Sequence, residues 1–385
     1  MLEKALCTMQ SAFFGFVWGS KKNVMSPADR HDVLLLQQAA LFKFPKRTPY
    51  LSSARSSPYF PQNMPAKRYH TIFTTWLCGL LLAFCVAQGA VAQQKTLTNG
   101  TPAITTTDGV KLYTKIAGKG LPCVLVHGGP GAGSYGLEAL AGTTLEQNFQ
   151  MIYLDQRGSG RSASAPDKNY VIERLVQDLE DVRQQLHLEK WVVMSHSFGG
   201  IIATAYAAKY PSRVQGLVLV NSILNLPASM ESTATNGYQL LPAATRPPMD
   251  PSAPLPQRFG MVMSLLGQQG LMNRFMYAND STPARLNRAM RGVPANRDFA
   301  TTLFQGPAIQ GYVQDLTPAT ATLTVPVLVV SGQDDYMVGP DHYKAFRFPN
   351  QQVAVVPGRH YALIESPTEF SRAVAAFVKK LPRKS

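Results

Sequence analysis

The chain has 385 residues, of which 45% are hydrophobic and 16% are charged, a composition that excludes an intrinsically disordered protein. Its formal net charge of +14 is divided evenly, because residues 1–92 and residues 93–385 each carry a surplus of seven positive charges. A surplus of that size over the longer part favours solubility and does not indicate nucleic-acid binding. No basic stripe with interleaved aromatic residues and no nucleic-acid-binding motif accompanies it.

An apolar segment before residue 92 has the features of a secretory signal. A basic pair at residues 67–68 precedes it, residues 71–94 carry no charge, and residues 90–92 form a small-x-small pattern that signal peptidase accepts. We therefore expect a signal peptide over residues 64–92 and a secreted or periplasmic protein without stable membrane insertion. An uncleaved anchor is the alternative, although the apolar run is short for a membrane-spanning helix.

The residues before this segment are interpreted as a leader. Residues 1–63 lack sustained periodicity, and we expect them to be disordered or not translated, with Met64 as the initiator. Of the four cysteines only Cys123 lies after residue 92, so the mature chain is expected to form no internal disulfide. A large periplasmic domain does not require one.

From about residue 103, short apolar runs alternate with helical segments. Such runs are typical of strands buried on both faces of a parallel sheet, and they cover residues 110–116, 123–126, 151–154, 191–194, 214–220, 327–330 and 353–356. Helical spacing is found over residues 173–188, 201–209 and 370–379. Strands that alternate with helices predict βαβ units and a mainly parallel sheet. Asp108 and Gly109 predict a hairpin turn before the first run.

The alternation stops between about residues 224 and 318. This stretch holds a proline-rich run followed by amphipathic segments. We interpret residues 224–318 as a mostly helical lid inserted after the sixth core strand. Residues 93–223 and 319–385 then form the core of an α/β protein.

The sequence Ser-His-Ser-Phe-Gly-Gly at residues 195–200 lies between a predicted strand and a predicted helix. This is the context of a nucleophile elbow, in which a strained strand-to-helix turn projects a serine above the sheet. Ser197 is therefore the predicted nucleophile. The usual motif begins with glycine where this chain has Ser195, and the alternative interpretation is an ordinary turn with a capping serine.

A serine nucleophile needs a general base, and the base needs an orienting acid. In the α/β-hydrolase fold these residues follow in the chain order serine, acid, histidine. His360 follows the last predicted strand and is the expected base, whereas His342 lies in a predicted helix and is interpreted as solvated surface. Asp334 and Asp335 both follow the strand before it. Asp335 is the favoured acid and Asp334 the alternative.

Stabilising the oxyanion of a tetrahedral intermediate needs backbone N–H donors. We expect one donor from Phe198, directly after the nucleophile. The second is expected from Gly129, in the His-Gly-Gly-Pro-Gly loop at residues 127–131. His127 is interpreted as a residue that braces this loop.

The His-Gly-Gly-Pro-Gly sequence, together with Asp-Gln-Arg-Gly-Ser-Gly-Arg-Ser at residues 155–162, resembles the proline iminopeptidase family of α/β-hydrolases. The resemblance implies an enzyme that releases an N-terminal residue, typically proline, from peptides through an acyl-enzyme. It also implies that lid carboxylates hold the free amino group of the substrate. The acids available in the lid are Glu231, Asp250, Asp280, Asp298 and Asp315. Asp155 and Arg157 are expected to brace the loop beneath the oxyanion hole.

Three hypotheses follow for the function. The leading one is a serine aminopeptidase of the proline iminopeptidase type. The others are an esterase or lactonase that uses the same triad, and a non-catalytic binding protein with a hydrolase fold. A carboxylate facing Ser197 favours the aminopeptidase, and an all-apolar lid favours the esterase. No metal-ligand spacing, phosphate loop or dinucleotide motif is present, so we expect a small peptide or ester as partner, with no cofactor, metal or nucleic acid.

Overall fold

The structure is a computed structural model, and it describes residues 97–382. The predicted leader and signal peptide, residues 1–92, lie outside the described residues. Within the described range, none of the helices combines the length and the apolar character that crossing a bilayer requires.

The described part of the chain forms nine strands, numbered in chain order: β1 (Ile104–Thr105), β2 (Lys111–Leu112), β3 (Thr114–Gly118), β4 (Leu121–Val126), β5 (Phe149–Leu154), β6 (Trp191–His196), β7 (Val214–Val220), β8 (Val327–Gly332) and β9 (Gln351–Val356). Seven of them form one sheet in the order β3-β5-β4-β6-β7-β8-β9. Only the edge strand β3 runs antiparallel to its neighbour β5, and the other pairs are parallel. The predicted mainly parallel sheet is confirmed.

The prediction of a single strand over residues 110–116 is wrong, because this segment forms two strands that belong to two different sheets. β2 pairs with β1 in a small antiparallel hairpin, and β3 pairs with β5 at the edge of the main sheet. Between them, the Tyr113 amide leaves the ladder and donates to Ser162 Oγ at 2.8 Å. The hairpin turn is confirmed, since the Gly109 amide donates to the Thr106 carbonyl at 2.9 Å.

The same part of the chain forms the helices α1 (Tyr135–Leu145), α2 (Ile172–Gln185), α3 (Gly199–Lys209), α4 (Leu226–Leu240), α5 (Leu255–Gln268), α6 (Met272–Met276), α7 (Ser281–Ala289), α8 (Asp298–Gln305), α9 (Ile309–Tyr312), α10 (Ala362–Glu365) and α11 (Pro367–Lys380). Short 3-10 turns lie at Pro211–Arg213, Ala243–Thr245, Pro318–Thr322 and His342–Ala345. The helical spacing in the sequence thus predicted α2, α3 and α11 to within a few residues.

Strand β4 shows how the apolar runs build a double-sided core. Cys123 and Leu125 pack on the face covered by α1 and α11, whereas Val124 and Val126 pack on the face covered by α2 and α3. All four side chains are buried. Each such side chain stabilises the fold by about 1.5–3 kcal/mol relative to exposure, which is why the run has no polar alternation.

Helices α4 to α9 form the lid and have an apolar cluster of their own, rich in methionine and phenylalanine. The lid leaves the sheet after β7 and returns before β8, as the sequence predicted. However, β7 is the fifth strand of the main sheet in chain order and not the sixth. Both ends of the lid are tied to each other, since the Leu316 amide donates to the Leu224 carbonyl at 2.9 Å.

Candidate active site

The structure brings the three predicted catalytic side chains together at the carboxyl edge of the sheet. Ser197 follows β6, Asp335 follows β8 and His360 follows β9. Nε2 of His360 lies 2.9 Å from Ser197 Oγ, and Nδ1 lies 3.1 and 3.2 Å from the two carboxylate oxygens of Asp335. Because a carboxylate accepts hydrogen bonds, Nδ1 carries the proton and Nε2 is free to accept one from the serine. This is the geometry of an activated nucleophile.

The turn that presents Ser197 is strained and closely packed. Ser197 has φ = 55°, in the left-handed region that residues other than glycine rarely adopt. A Cβ at Gly199 would lie 2.2 Å from the Val126 carbonyl oxygen, so the start of α3 can approach β4 only with glycine there. Ser195, which replaces the usual first glycine, is accommodated because its hydroxyl lies 2.9 Å from that of Ser222.

The structure distinguishes the two candidate acids. Asp335 is 1% exposed, and its Oδ1 accepts hydrogen bonds from the amides of Met337 and Val338 at 3.2 Å. The side chain of Asp334 is half-buried and is not among the groups that contact His360. Burial alone would raise the pKa of Asp335, but the charge of His360 and the hydrogen bonds that Asp335 accepts outweigh burial and lower that pKa.

The backbone of His360 is held from two sides. Its amide donates to the Met276 carbonyl of the lid at 3.1 Å, and its carbonyl accepts from Nε2 of His196 at 2.8 Å. Burial, followed by the charge of His360, lowers the pKa of His196 to about 3, so His196 stays neutral near pH 7. No role was predicted for His196, although its position next to the nucleophile was a signal.

The glycine loop lies directly against the nucleophile. A Cβ at Gly128 would lie 2.7 Å from the Cβ of Ser197, so no side chain fits at that position. Gly129 and Phe198, the predicted oxyanion donors, both line the cavity in front of Ser197. Gly128 was not singled out from the sequence, and the paired glycines of the motif were the signal for it.

His127 braces this loop, as predicted. Its Nε2 accepts from the Gln156 amide at 3.0 Å, so the ring proton is on Nδ1, which donates to the Gly128 carbonyl at 2.8 Å. Burial lowers the pKa of His127 and keeps the ring in this neutral form.

Asp155 and Arg157 also lie in bracing positions and outside the cavity. Asp155 accepts hydrogen bonds from the amide and hydroxyl of Ser134, both at 2.7 Å, and from Nε of Arg161 at 2.7 Å. Arg157 is fully buried in an ion pair with Asp178. The second motif is therefore structural, and it holds the loop that carries Gly128.

Ser197 opens into a cavity of about 170 Å³ between the sheet and the lid. The lid contributes apolar side chains, namely Leu226, Met230, Phe259, Met263, Met276, Leu286, Met290 and Phe304. Its polar contribution is Ser229, Thr233 and Asn287. Among the described residues that line the cavity there is no aspartate, glutamate, lysine or arginine. Within residues 97–382, no group of three or more His, Cys, Asp or Glu side chains is placed to hold a metal ion.

The lid acids that the family resemblance implied as amine ligands do not line this cavity; they are Glu231, Asp250, Asp280, Asp298 and Asp315. Two of them are engaged in ion pairs. Glu231 contacts Arg258 at 2.6 Å, and Asp298 contacts Lys168 at 2.7 Å. The carboxylate that an aminopeptidase of this type needs is thus missing from the described lining.

One interpretation of the sequence is wrong at the residue level. His342 is half-buried and not solvated surface, because its Nε2 accepts from the Leu224 amide at 3.1 Å. Burial lowers the pKa of His342 to about 4. His342 contacts the start of the lid and does not reach Ser197.

Comparison with known proteins identifies the class. The family of the α/β hydrolase fold matches residues 122–367. The chain belongs to this family, and both the predicted fold and the coarse prediction of a hydrolase are confirmed.

The resemblance to proline iminopeptidases is also confirmed at the level of sequence. The proline iminopeptidase of Neisseria gonorrhoeae is 40% identical over 112 residues, which cover 28% of this chain and 35% of that relative. The alignment therefore spans about a third of the length of that relative. The proline iminopeptidase of Elizabethkingia meningoseptica is 24% identical over 298 residues, covering 74% of this chain and 99% of the relative.

Solved structures share the fold. The proline iminopeptidase of Mycobacterium smegmatis has a TM-score of 0.60 at 23% identity, over 73% of this chain and 98% of that one. An esterase from Exiguobacterium antarcticum has a TM-score of 0.54 at 21% identity, over 74% and 100% of the two chains. At these identities the likeness concerns the fold alone.

Proposed function

We propose that this protein is a serine hydrolase that cleaves an uncharged ester or lactone with an apolar acyl group, through an acyl-enzyme at Ser197. The observation that carries the proposal is the cavity itself. A complete Ser197–His360–Asp335 array opens into it. The described residues that line it include no aspartate, glutamate, lysine or arginine.

The reaction follows from the geometry. His360 Nε2 takes the proton of Ser197 as Oγ attacks the carbonyl carbon, and Asp335 stabilises the imidazolium that forms. The N–H groups of Phe198 and Gly129 are the proposed donors to the tetrahedral oxyanion. His360 then protonates the leaving alcohol, and it later activates the water that releases the acid.

The lid argues against a substrate with a free amino group. A buried ammonium requires a carboxylate partner, because transferring an unpaired charge from water into an apolar cavity is very costly. The described residues that line the cavity include no carboxylate. The helix α7 (Ser281–Ala289), which contributes Leu286 to the lining, carries no acidic residue.

The second candidate is an aminopeptidase that releases N-terminal proline. The sequence similarity to proline iminopeptidases favours it, above all the match of residues 127–131 and 155–162 to their motifs. Bracing contacts account for most of those residues. The motifs therefore support the scaffold of that family and leave its specificity open.

A substrate panel tests the proposal. Purified protein is assayed with p-nitrophenyl butyrate, p-nitrophenyl octanoate and prolyl p-nitroanilide, beside Ser197→Ala and the lid control Ser264→Ala, which lies outside the cavity lining. We expect ester cleavage that falls by about 10⁴-fold or more in Ser197→Ala and is unchanged in Ser264→Ala. Cleavage of the prolyl anilide with higher kcat/KM than either ester would contradict the proposal and favour the second candidate.

A further inference from the structure

Asn221 lies at the end of β7, next to the strand that leads to Asp335, and its side chain contacts two loops of the site. Its Nδ2 lies 2.6 Å from Asp335 Oδ2 and 3.2 Å from the carbonyl oxygen of Arg359, the residue before His360. Both partners only accept hydrogen bonds, so the nitrogen of the amide must face them. One side chain thus joins the loop of the acid to the loop of the base.

Two further features of Asn221, its backbone conformation and its buried side-chain oxygen, are unfavourable for stability. Its φ is 46°, in the left-handed region, and its amide is fixed by donation to the Val330 carbonyl at 2.8 Å. Its Oδ1 is buried and has no hydrogen-bond partner within the described part of the chain. A buried carbonyl without a donor is unfavourable, and such a group in a folded protein calls for a functional explanation.

We propose that Asn221 is a positioning residue of the triad, which orients the Asp335 carboxylate toward His360 and fixes the distance between the two loops. The inference rests on the serine-hydrolase part of the proposed function, because it requires that Asp335 acts on the base His360. Oδ1 of Asp335 is held by the two loop amides, whereas Oδ2 has Asn221 as its closest partner. Without Asn221, the carboxylate can rotate about its last bond and lose the two-oxygen contact with His360.

The variant Asn221→Asp is expected to show a pH dependence of kcat that the loss of a purely structural residue would not cause. It would place a second carboxyl group against Asp335, so the pair would share one proton at neutral pH and lose it as the pH rises. The shared proton restores the hydrogen bond to Asp335, and its loss replaces that bond with repulsion. The other titratable side chains that act on Asp335 are His360, His196 and His342.

The experiment compares Asn221→Gly, Asn221→Asp and a control, Thr204→Val, at pH 6 to 9 on the ester that the unsubstituted protein cleaves best. Glycine tolerates the left-handed backbone, so Asn221→Gly removes the side chain without adding strain. Thr204 is buried on α3 and lies outside the cavity lining. Circular dichroism and thermal unfolding monitor the fold of every variant.

We expect kcat of Asn221→Gly to fall by about 10- to 100-fold with KM unchanged, as for other groups that orient a reacting side chain through a hydrogen bond. Relative to the unsubstituted protein at the same pH, Asn221→Asp should regain most of this activity at pH 6 and lose it toward pH 9. Thr204→Val should keep the pH profile of the unsubstituted protein.

Two results would overturn the inference. One is an unchanged kcat in Asn221→Gly, and the other is an equal loss in both Asn221 variants at every pH. Failure of the proposed function is a different result: activity would persist in Ser197→Ala, or the prolyl anilide would be cleaved better than either ester while Asn221→Gly still lowered kcat. If no ester is cleaved, the rate at which a fluorophosphonate labels Ser197 serves as the readout for the same variants. Absence of labelling in the unsubstituted protein would overturn both proposals.

Discussion

At the residue scale, immediate contacts favour Asp335 over Asp334 as the acid of the proposed triad. Asp335 is buried and accepts a hydrogen bond from Nδ1 of His360, whereas the adjacent Asp334 is half-buried and is not a hydrogen-bond partner of His360. Two neighbouring aspartates therefore provide a matched pair for mutagenesis.

We expect Asp335→Asn to lower kcat by about 10³- to 10⁴-fold, because the amide can no longer hold the Nδ1–H tautomer or stabilise the imidazolium. Asp334→Asn should leave kcat unchanged, since its side chain has no part in this array. Steady-state ester hydrolysis near pH 8 checks both variants. The reverse ranking of the two would refute the assignment.

The sequence favoured Ser197 and His360 because each follows a recognisable strand in the required order. It could not choose between Asp334 and Asp335, since both follow the same strand and only the turn geometry decides which carboxylate points to the base. The role of Asn221 was not predicted, because its contact with Asp335 joins two loops that are distant in the chain.

At the scale of elements, the elbow depends on close packing between α3 and β4. The helix α3 begins at Gly199, and the contact with the Val126 carbonyl leaves no room for a Cβ. The helix α5 of the lid contains Gly267, where an added Cβ would meet nothing within 4 Å.

Gly199→Ala should therefore destabilise the fold by about 3 kcal/mol or more, because the backbone carbonyl it would contact cannot move aside. Gly267→Ala should instead stabilise by about 0.5–1 kcal/mol, since alanine is the better helix former at an open position. Urea unfolding followed by circular dichroism measures both. Equal stability of the two variants would show that the elbow is less tightly packed than the structure indicates.

The lid illustrates the limit of prediction for elements. Its helical character was readable from amphipathic spacing, and its location from the break in the alternation. The residues of the lid that line the cavity could not be predicted, because Met230, Met263 and Met290 come from separate segments and meet only in the folded chain. The five acids in the sequence of the lid were candidates for the cavity, but in the folded chain they do not line it.

At the scale of the whole molecule, three histidines whose pKa is lowered by burial couple stability to pH, namely His127, His196 and His342. Burial lowers the pKa of His342 to about 4 and that of His196 to about 3, against an ordinary value near 6.5 in the unfolded chain. Below that ordinary value the unfolded chain binds more protons than the native one. Their contribution to stability is therefore complete above about pH 6.5 and is lost progressively as the pH falls toward the native values.

We expect unfolding free energy to decrease from pH 7.5 to pH 5, and His342→Gln to reduce that decrease by about 2 kcal/mol. Glutamine retains an acceptor for the Leu224 amide and does not titrate. His187→Asn is the control, since His187 is exposed and has φ = 55°, which asparagine tolerates. Chemical unfolding at the two pH values is the measurement. An identical pH dependence in both variants would contradict the burial of His342.

The acyl-enzyme at Ser197 is the central claim, and trapping it is the most direct test. The protein is mixed with a p-nitrophenyl ester, quenched in acid within the first turnover and analysed by peptide mass mapping. We predict a mass increase of one acyl group on the peptide that contains residues 195–200, located at Ser197 by fragmentation and absent in Ser197→Ala. Turnover without any acylated peptide, or acylation at another residue such as Ser195, would contradict the account.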